Sequence, residues 1–467
     1  MTDSAVAGLC RLTVRAPNVS VDLAVPADVP VADLLPTLLR YVGDEAGEAG
    51  LDHAGWVLQR LGEAPLDEET TLGRAGLADG DVLHLRPHTE ALPEARLDDL
   101  VDGLSETVYR RMRTWGPEPA RALLAGTAVA TVVAALVLVF WPGVQAGALR
   151  VVCAGVAGLL LLAGAGSASR AVGDRLTATV LGLLVAPCMA LAGWELPGGE
   201  VGGPDGAAVV GARLLAAGAA GAGGAVLALA ATAVGGPALF ATALVGVATA
   251  VTGALLGYAG LDASASVALV VAPLVLGAGA VAPFAFKLAG MRMPALPSSA
   301  GQLQEGIEPY AGDEVAERTE LAGRWVTALF TATGTAVAAG LVVLAERPDL
   351  PEVLTALALS LLLLLHSRSL VHLGQRLVLA VPGLWGLLLL ARAWSAESGA
   401  GGRVVVFAVL LAAAAGLVIA TWTVPGRRVL PYWGRAAELA HTGLAVALMP
   451  LSLWAAGLFG WLRGLFG

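Results

Sequence analysis

From Ala122 to Trp141 the chain runs for twenty residues without a charge, and directly before it Tyr109 to Arg121 packs four arginines, Arg110, Arg111, Arg113 and Arg121, around Trp115. An apolar helix of that length rises about 30 Å, the thickness of the hydrocarbon core of a bilayer. Arginines beside a first span hold that end of it on the cytoplasmic side. The constraint is severe, because a chain inside lipid must satisfy its backbone N–H and C=O groups within its own helices or a closed barrel. Residues before the junction therefore read as cytosolic, and residues after it as threading the bilayer.

Composition carries the same reading over the rest of the chain. A hydrophobic fraction of 57%, charged residues at 14% and a mean hydropathy of +0.76 exclude an ordinary globular protein of 467 residues. Apolar runs of membrane-spanning length lie at 122–141, 147–166, 176–194, 209–232, 237–258, 264–286, 325–344, 351–366, 377–395, 404–424 and 436–459, eleven in all. With the amino end inside, this odd number puts the tail bearing Trp461 and Arg463 outside. Counting basic residues tests the alternation independently. The inner segments hold fifteen (Arg110, Arg111, Arg113, Arg121, Arg170, Arg175, Lys287, Arg292, Arg318, Arg324, Arg368, Arg376, Arg427, Arg428, Arg435), and the outer ones six (Arg150, Arg213, Arg347, Arg392, Arg403, Arg463). That excess on one side is the positive-inside pattern. Trp141, Trp194, Trp325, Trp394, Trp422, Trp433, Trp454 and Trp461 fall near span ends, where an indole prefers the interface; Trp385 does not.

Two features of the spans point to close packing. The fourth is interrupted by Gly218, Gly221, Gly223 and Gly224, and Gly253 and Gly257 in the fifth make a small-xxx-small face expected to pack against another helix, within the chain or in a second copy. The one long internal loop, 287–324, ends in a charged segment, Asp313 to Arg324, whose spacing predicts a helix running on into the seventh span. A connection of this length is a candidate docking surface.

Residues 1–100 are different in kind. They carry eighteen Asp and Glu against seven Arg, while the remainder carries nineteen acidic against twenty-one basic residues. An acidic domain beside an anionic membrane face is repelled by lipid and nucleic acid alike, so a basic protein surface is its expected partner, and no nucleic acid. Leu9 to Arg15 and Val19 to Val25 alternate apolar and polar around Ala-Pro-Asn, a strand hairpin. Val31, Leu34, Leu35, Leu38, Leu39 and Val42 keep helical period, opened by Asp28 or Pro30 with Pro36 as a blemish, and Trp56 to Leu61 and Val82 to Arg86 read as two more strands. Thr71 to Arg86, with Leu72 and Leu77 ahead of the polar turn Asp79-Gly80-Asp81 and then Leu83 and Leu85, resembles the closing segment of a ubiquitin-like β-grasp domain. The chain continues through Pro87 into the membrane, so the resemblance implies a docking module and not conjugation chemistry. Leu97 to Met112 has one apolar face and reads as a helical stalk.

Candidate chemistry is sparse. Asp174, Asp262, Glu438, His366, His372 and His441 fall in loops or close to span ends, whereas a proton or ion transporter keeps ionisable groups deep in its helices. Cys10, Cys153 and Cys188 form no disulfide framework, and no Cys/His cluster has metal-ligand spacing. The glycine-rich runs lack a P-loop Lys-Ser/Thr, and neither HExxH nor GxSxG occurs. No catalytic residue, cofactor-binding residue or metal ligand is assigned, and no enzymatic activity is expected. The first twenty residues lack a signal-peptide core, so insertion is expected to rely on the first span.

Taken together, the expected fold is an α+β ubiquitin-like β-grasp domain at 1–90, a stalk and basic junction at 91–121, and an all-α polytopic domain of eleven transmembrane helices at 122–467 with its loop at 287–324. That architecture resembles EccD, the polytopic membrane component of the ESX or type VII secretion system of actinobacteria, over the whole chain. The resemblance implies a structural subunit of the bacterial cytoplasmic membrane that forms a homodimer within a larger assembly with EccB, EccE and the FtsK-like ATPase EccC, and that meets the ATPase through its ubiquitin-like domain. Energy would come from that ATPase, and no cofactor is implied here. The rival reading is a secondary transporter or channel for a small solute, for which Pro187, Pro273, Pro283 and Pro382 could supply broken helices.

Overall fold

The computed structural model describes residues 9–16, 19–42, 55–88, 116–141, 147–291, 312–346, 349–423 and 431–466. The expected stalk at 97–112, the arginines Arg110, Arg111 and Arg113, and the central part of the internal loop lie outside them. The chain divides into two compact units, Met1–Gly116 and Pro117–Gly467.

In the first unit, strand β1 (Leu9–Arg15) turns Cys10, Leu12 and Val14 inward at every second position, as a strand buried on one face must. It pairs antiparallel with β2 (Ser20–Pro26), Leu12 opposite Leu23, and parallel with β4 (Val82–Pro87), Val14 opposite Leu83. β4 in turn pairs antiparallel with β3 (Trp56–Arg60), giving the sheet order β2-β1-β4-β3. Helix α1 (Val31–Val42) closes the other side. Its Val31, Leu34, Leu35 and Leu38 are buried with Leu58, Leu72, Leu83 and Leu85, while Pro36 faces outward and leaves that apolar face unbroken. This is the ubiquitin-like grasp the sequence implies, with four strand positions read to within a residue or so.

The polar turn before β4 is stitched to β1. Asp79 Oδ1 accepts from the Arg11 amide at 2.8 Å, and the Gly80 amide donates to the Arg11 carbonyl at 2.8 Å. Asp81 Oδ2 accepts from the Ala78 amide at 2.8 Å and pairs with the Arg60 guanidinium of β3. Gly80 has φ +91°, which an L side chain rarely adopts.

Among the described residues, the second unit contains eleven helices long and apolar enough to cross a membrane. In order they are α2 (Pro117–Phe140), α3 (Gly147–Ser167), α4 (Arg175–Glu195), α5 (Gly206–Thr232), α6 (Gly236–Tyr258), the pair α7 (Ala263–Leu276) and α8 (Val281–Leu288) counted as one span, α9 (Gly312–Glu346), α10 (Leu350–Ser367), α11 (Leu373–Glu397), α12 (Ala400–Thr423) and α13 (Pro431–Ala455). A short α14 (Leu458–Phe466) follows. Helix α9 is the hub: over half of its apolar stretch is buried, against none of α2 and almost none of α12. Its Phe330, Val337, Leu341 and Leu344 pack with Val271 of α7, Leu359 and Leu363 of α10, Leu379 of α11 and Leu448 of α13. It begins at Gly312, so the charged segment and the seventh span are one helix.

The sixth span departs from a continuous helix. After Pro273 it tightens into a 3-10 turn at Gly277–Ala280 before resuming as α8. Pro283 has no N–H to give the carbonyl four residues back, that of Gly279, and Gly277 and Gly279 stand in the turn itself, so the ladder yields here. Pro187, Pro273 and Pro382 stay inside helices that continue past them, while Pro283 sits in the first turn of α8, where the helix restarts without needing its N–H.

Asp81 gives this fold a pH signature. The Ala78 amide, and then Arg60, hold its carboxyl below the usual carboxylate range. A depressed folded value means stability present above the unfolded value, near about 3.9, and lost as pH falls through the folded one. Asp81→Asn should cost the amino-terminal domain about 1–2 kcal/mol at neutral pH and progressively less below about pH 4. Pulse proteolysis of the full chain across a urea series, at both pH values, measures this.

Candidate functional site

Of the predicted orienting arginines, Arg121 alone lies among the described residues; it is exposed on α2. Its charge reaches Asp174, whose carboxylate caps α4 by accepting from the Leu176 and Thr177 amides at 3.0 and 3.1 Å and from the Thr177 hydroxyl at 2.7 Å. The Thr177 bonds are the main reason this carboxyl sits below its usual range, with Arg121 a minor one.

Gly253 and Gly257 of α6 face α5. A methyl group built on Gly253 would stand 2.6 Å from the Gly211 carbonyl oxygen, and one on Gly257 would stand 3.3 Å from the Ala212 nitrogen. The close approach continues along the same line: Gly246 would meet the Ala222 nitrogen at 2.7 Å, and Gly218 the Gly246 carbonyl oxygen at 2.5 Å. The two backbones thus touch along a seam in which Gly246, Gly253 and Gly257 of α6 oppose Gly211 and Gly218 of α5. Sequence reasoning found only part of it. Seven-residue spacing between Gly211 and Gly218, and between Gly246 and Gly253, is the signal that could have supplied the rest.

Polar residues missed in the sequence tie helix ends together. Arg150 of α3 pairs with Glu195 of α4 at 3.3 Å, donates to the Val139 and Trp141 carbonyls at 3.3 and 3.2 Å, and lies over the Phe140 ring. At the other end of α3, Arg170 donates to the Ala230 and Ala231 carbonyls and Ser169 to the Thr232 carbonyl, supplying donors to the last turn of α5. Glu352, in the first turn of α10, is 8% exposed and accepts from the Ser264 hydroxyl of α7 at 3.3 Å.

A cleft of about 1460 Å³ opens where α6, α9 and α11 begin. Its walls include Thr242, Trp325, Thr327, Thr331 and Gln375. The hydroxyls of Thr242, Thr327 and Thr331 donate to carbonyls of their own helices, so the wall presents mainly apolar surface. Among the described residues, no three His, Cys, Asp or Glu side chains converge in an arrangement fit for a metal ion.

Comparison with known proteins places this geometry. Residues 120–465 match the family described as EccD-like transmembrane domain, and residues 9–85 match that of the WXG100 protein secretion system protein YukD. The ESX-4 secretion system protein eccD4 of Mycobacterium tuberculosis is 30% identical over 476 aligned residues, covering 98% of both chains. EccD3 of the ESX-3 system from the same species is 29% identical over 179 residues, 36% of each chain. Among solved structures, protomer 1 of the ESX-3 core complex superposes with a TM-score of 0.58 at 19% identity, covering 97% of this chain and all of that one. A chain of the MycP5-free ESX-5 inner membrane complex superposes with a TM-score of 0.57 at 22% identity, covering 88% and 99%.

The glycine seam predicts a sharp positional contrast. Gly253→Val should destabilise the purified chain by about 3 kcal/mol, the upper end for an overpacked core, because backbone and not a flexible side chain must move. Gly223→Val, where nothing lies within 4 Å of the added carbon, should be close to neutral. Thermal unfolding in detergent compares them, and equal shifts would remove the seam from the account.

Proposed function

This chain belongs to the EccD family of ESX secretion membrane proteins, and from that premise we propose that it is a non-catalytic structural subunit of a type VII translocon, docking the FtsK-like ATPase EccC through its ubiquitin-like domain. The observation that carries the proposal is the order of the two units in one chain. A ubiquitin-like grasp precedes an eleven-span bundle, and the relative matched along 98% of this chain is an ESX-4 secretion protein. The grasp domain supplies an acidic surface with no membrane-binding character, suited to a basic protein face. The α9 segment 312–324, with Arg318 and Arg324 paired to Glu314 and Glu320, extends the helix past its apolar stretch and offers a second polar surface.

In this reading two copies pair within an assembly that also holds EccB and EccE. The amino end lies in the cytosol and the carboxyl end outside the cytoplasmic membrane, as the excess of fifteen basic residues over six favours. The ATPase supplies the work, and the bundle supplies a fixed seat for it in the bilayer.

Two measurements bear on this. Deleting residues 1–100 should leave the spans inserted and release the ATPase from the complex purified in mild detergent; ATPase retained at the full-length level would refute the docking role. In a cysteine-free background, a cysteine at Gly202 should react with an impermeant maleimide in intact spheroplasts, and one at Ser298 only after lysis. The reverse pattern would invert the topology.

A further inference from the structure

Helix α13 ends at Ala455, and the nine residues of α14 that follow, Leu458–Phe466, form a separate helix. The break between them is built into the backbone. The Ala456 and Gly457 amides donate to the Ser452 and Trp454 carbonyls, and Gly457 takes φ +73°, the left-handed conformation that ends a helix and turns the chain. Nothing lies within 4 Å of where a Cβ on Gly457 would stand, so the backbone angle alone calls for glycine. Length sets the depth of this break. Arg435 and Glu438 lie in the first two turns of α13, paired at 3.5 Å and exposed. From Leu439 onward, about 30 Å of hydrocarbon at 1.5 Å per residue takes about twenty residues, which brings the chain to the far surface where α14 begins. At 3.6 residues per turn, Leu458, Phe459, Leu462 and the positions of Trp461, Leu465 and Phe466 fall in one arc of about 160°, with Gly460, Arg463 and Gly464 in the remainder. Phe459 is 42% exposed, and the main packing of α14 is with α13, so the bundle leaves much of this arc uncovered.

We propose that α14 is an interfacial helix whose partner is the lipid surface: it lies along the membrane plane where α13 emerges, its apolar arc at the acyl boundary and Gly460, Arg463 and Gly464 toward water. Nine residues measure about 13 Å, too short to cross the bilayer. A short helix with one apolar arc suits the headgroup layer, and Arg463, beside the edge of the arc, is placed to meet lipid phosphates. Continuity favours lipid over a protein as the occupant. Leu439, Val446, Met449 and Trp454 stand exposed on one side of α13, a lipid-facing stripe that ends in an interfacial tryptophan just before the turn into α14. The helix acts as a float. It holds the depth of α13, and with it the seat of Leu448 in the core around α9, against sliding along the bilayer normal. The inference holds on whichever side of the membrane the carboxyl end lies.

The test uses the full chain in a cysteine-free background, with single spin-labelled cysteines placed along α14 and the protein reconstituted into liposomes of phosphatidylcholine and phosphatidylglycerol. Collision with oxygen, which concentrates in lipid, is compared with collision with a water-soluble nickel chelate. The oxygen-to-nickel ratio should be severalfold higher in Phe459→Cys and Leu462→Cys than in Gly460→Cys, Arg463→Cys and Gly464→Cys. A phospholipid carrying a diazirine near its headgroup, applied to the parent chain, which needs no variant to fold, should label α14 on the apolar arc. Nickel access at every site would make α14 a helix in water, and oxygen access at every site a continuation of the span. Shielding of Phe459→Cys and Leu462→Cys from both reagents would mean that protein covers the arc. Any of these patterns, or absence of lipid labelling from α14, would overturn the proposal.

Discussion

Inside hydrocarbon two helices gain little by hiding leucines from each other, since lipid tails are equally apolar, and the bundle rests on how closely its backbones can approach. Glycine sets that distance. The α5–α6 seam is its fullest expression, but the same device recurs: Gly193 of α4 lies against the Ala216 and Ala217 backbone, Gly334 of α9 against Val378, and Gly386 of α11 against the side chains of Ser360 and Leu341. Each absent methyl lets rows of atoms reach van der Waals separation, where many small dispersion terms add up. The amino-terminal domain uses the opposite economy. Its Leu12, Leu58, Leu83 and Leu85 gather in one buried cluster, the kind of burial that drives collapse by leaving water, and Gly62, Gly76 and Gly80, with positive φ, serve turns.

Where helices end, backbone groups fall out of register with their partners, and there the chain spends its few polar side chains. Asp174 caps the start of α4, while Arg170 reaches across to the last carbonyls of α5. Arg213 does likewise for the Gly198 and Gly199 carbonyls while stacking on Trp194. Basic residues that a topology count treats only as markers of sidedness thus also close the ends of the bundle. The two roles agree physically, since a guanidinium held at the interface is both slow to cross lipid and well placed to donate to exposed carbonyls.

Much of this was legible in the sequence because the signals are local. The length of an uncharged run decides a span, and alternation over seven residues decided β1 and β2, so the spans and strands were placed within a few residues of their ends. What stayed hidden depends on residues distant in sequence. Glu352 looked like one more carboxylate at a span edge, because the hydroxyl that receives it belongs to Ser264, 88 positions away. Gly211 and Gly246 were lost among sixty glycines until the helix facing each was known. The break at Gly277–Ala280 was ambiguous for another reason: Pro187, Pro273 and Pro382 are as suspect in sequence as Pro283, yet all three sit in helices that continue. Whether a proline breaks a span depends on whether the neighbouring turns can absorb the missing bond, and Gly277 and Gly279, in the turn before Pro283, let the backbone leave the helix there.

Helix α9 is 35 residues long, with no proline inside it. At 1.5 Å per residue it measures about 52 Å, well beyond the roughly 30 Å of hydrocarbon. Its acidic and basic first turns precede its apolar stretch, while Leu341 and Leu344 lie at the centre of the core. A continuous hydrogen-bonded rod joins the two, so a torque applied at Gly312 is carried to the packing of α7, α10 and α11 with little loss on the way. The bundle has, in effect, a handle.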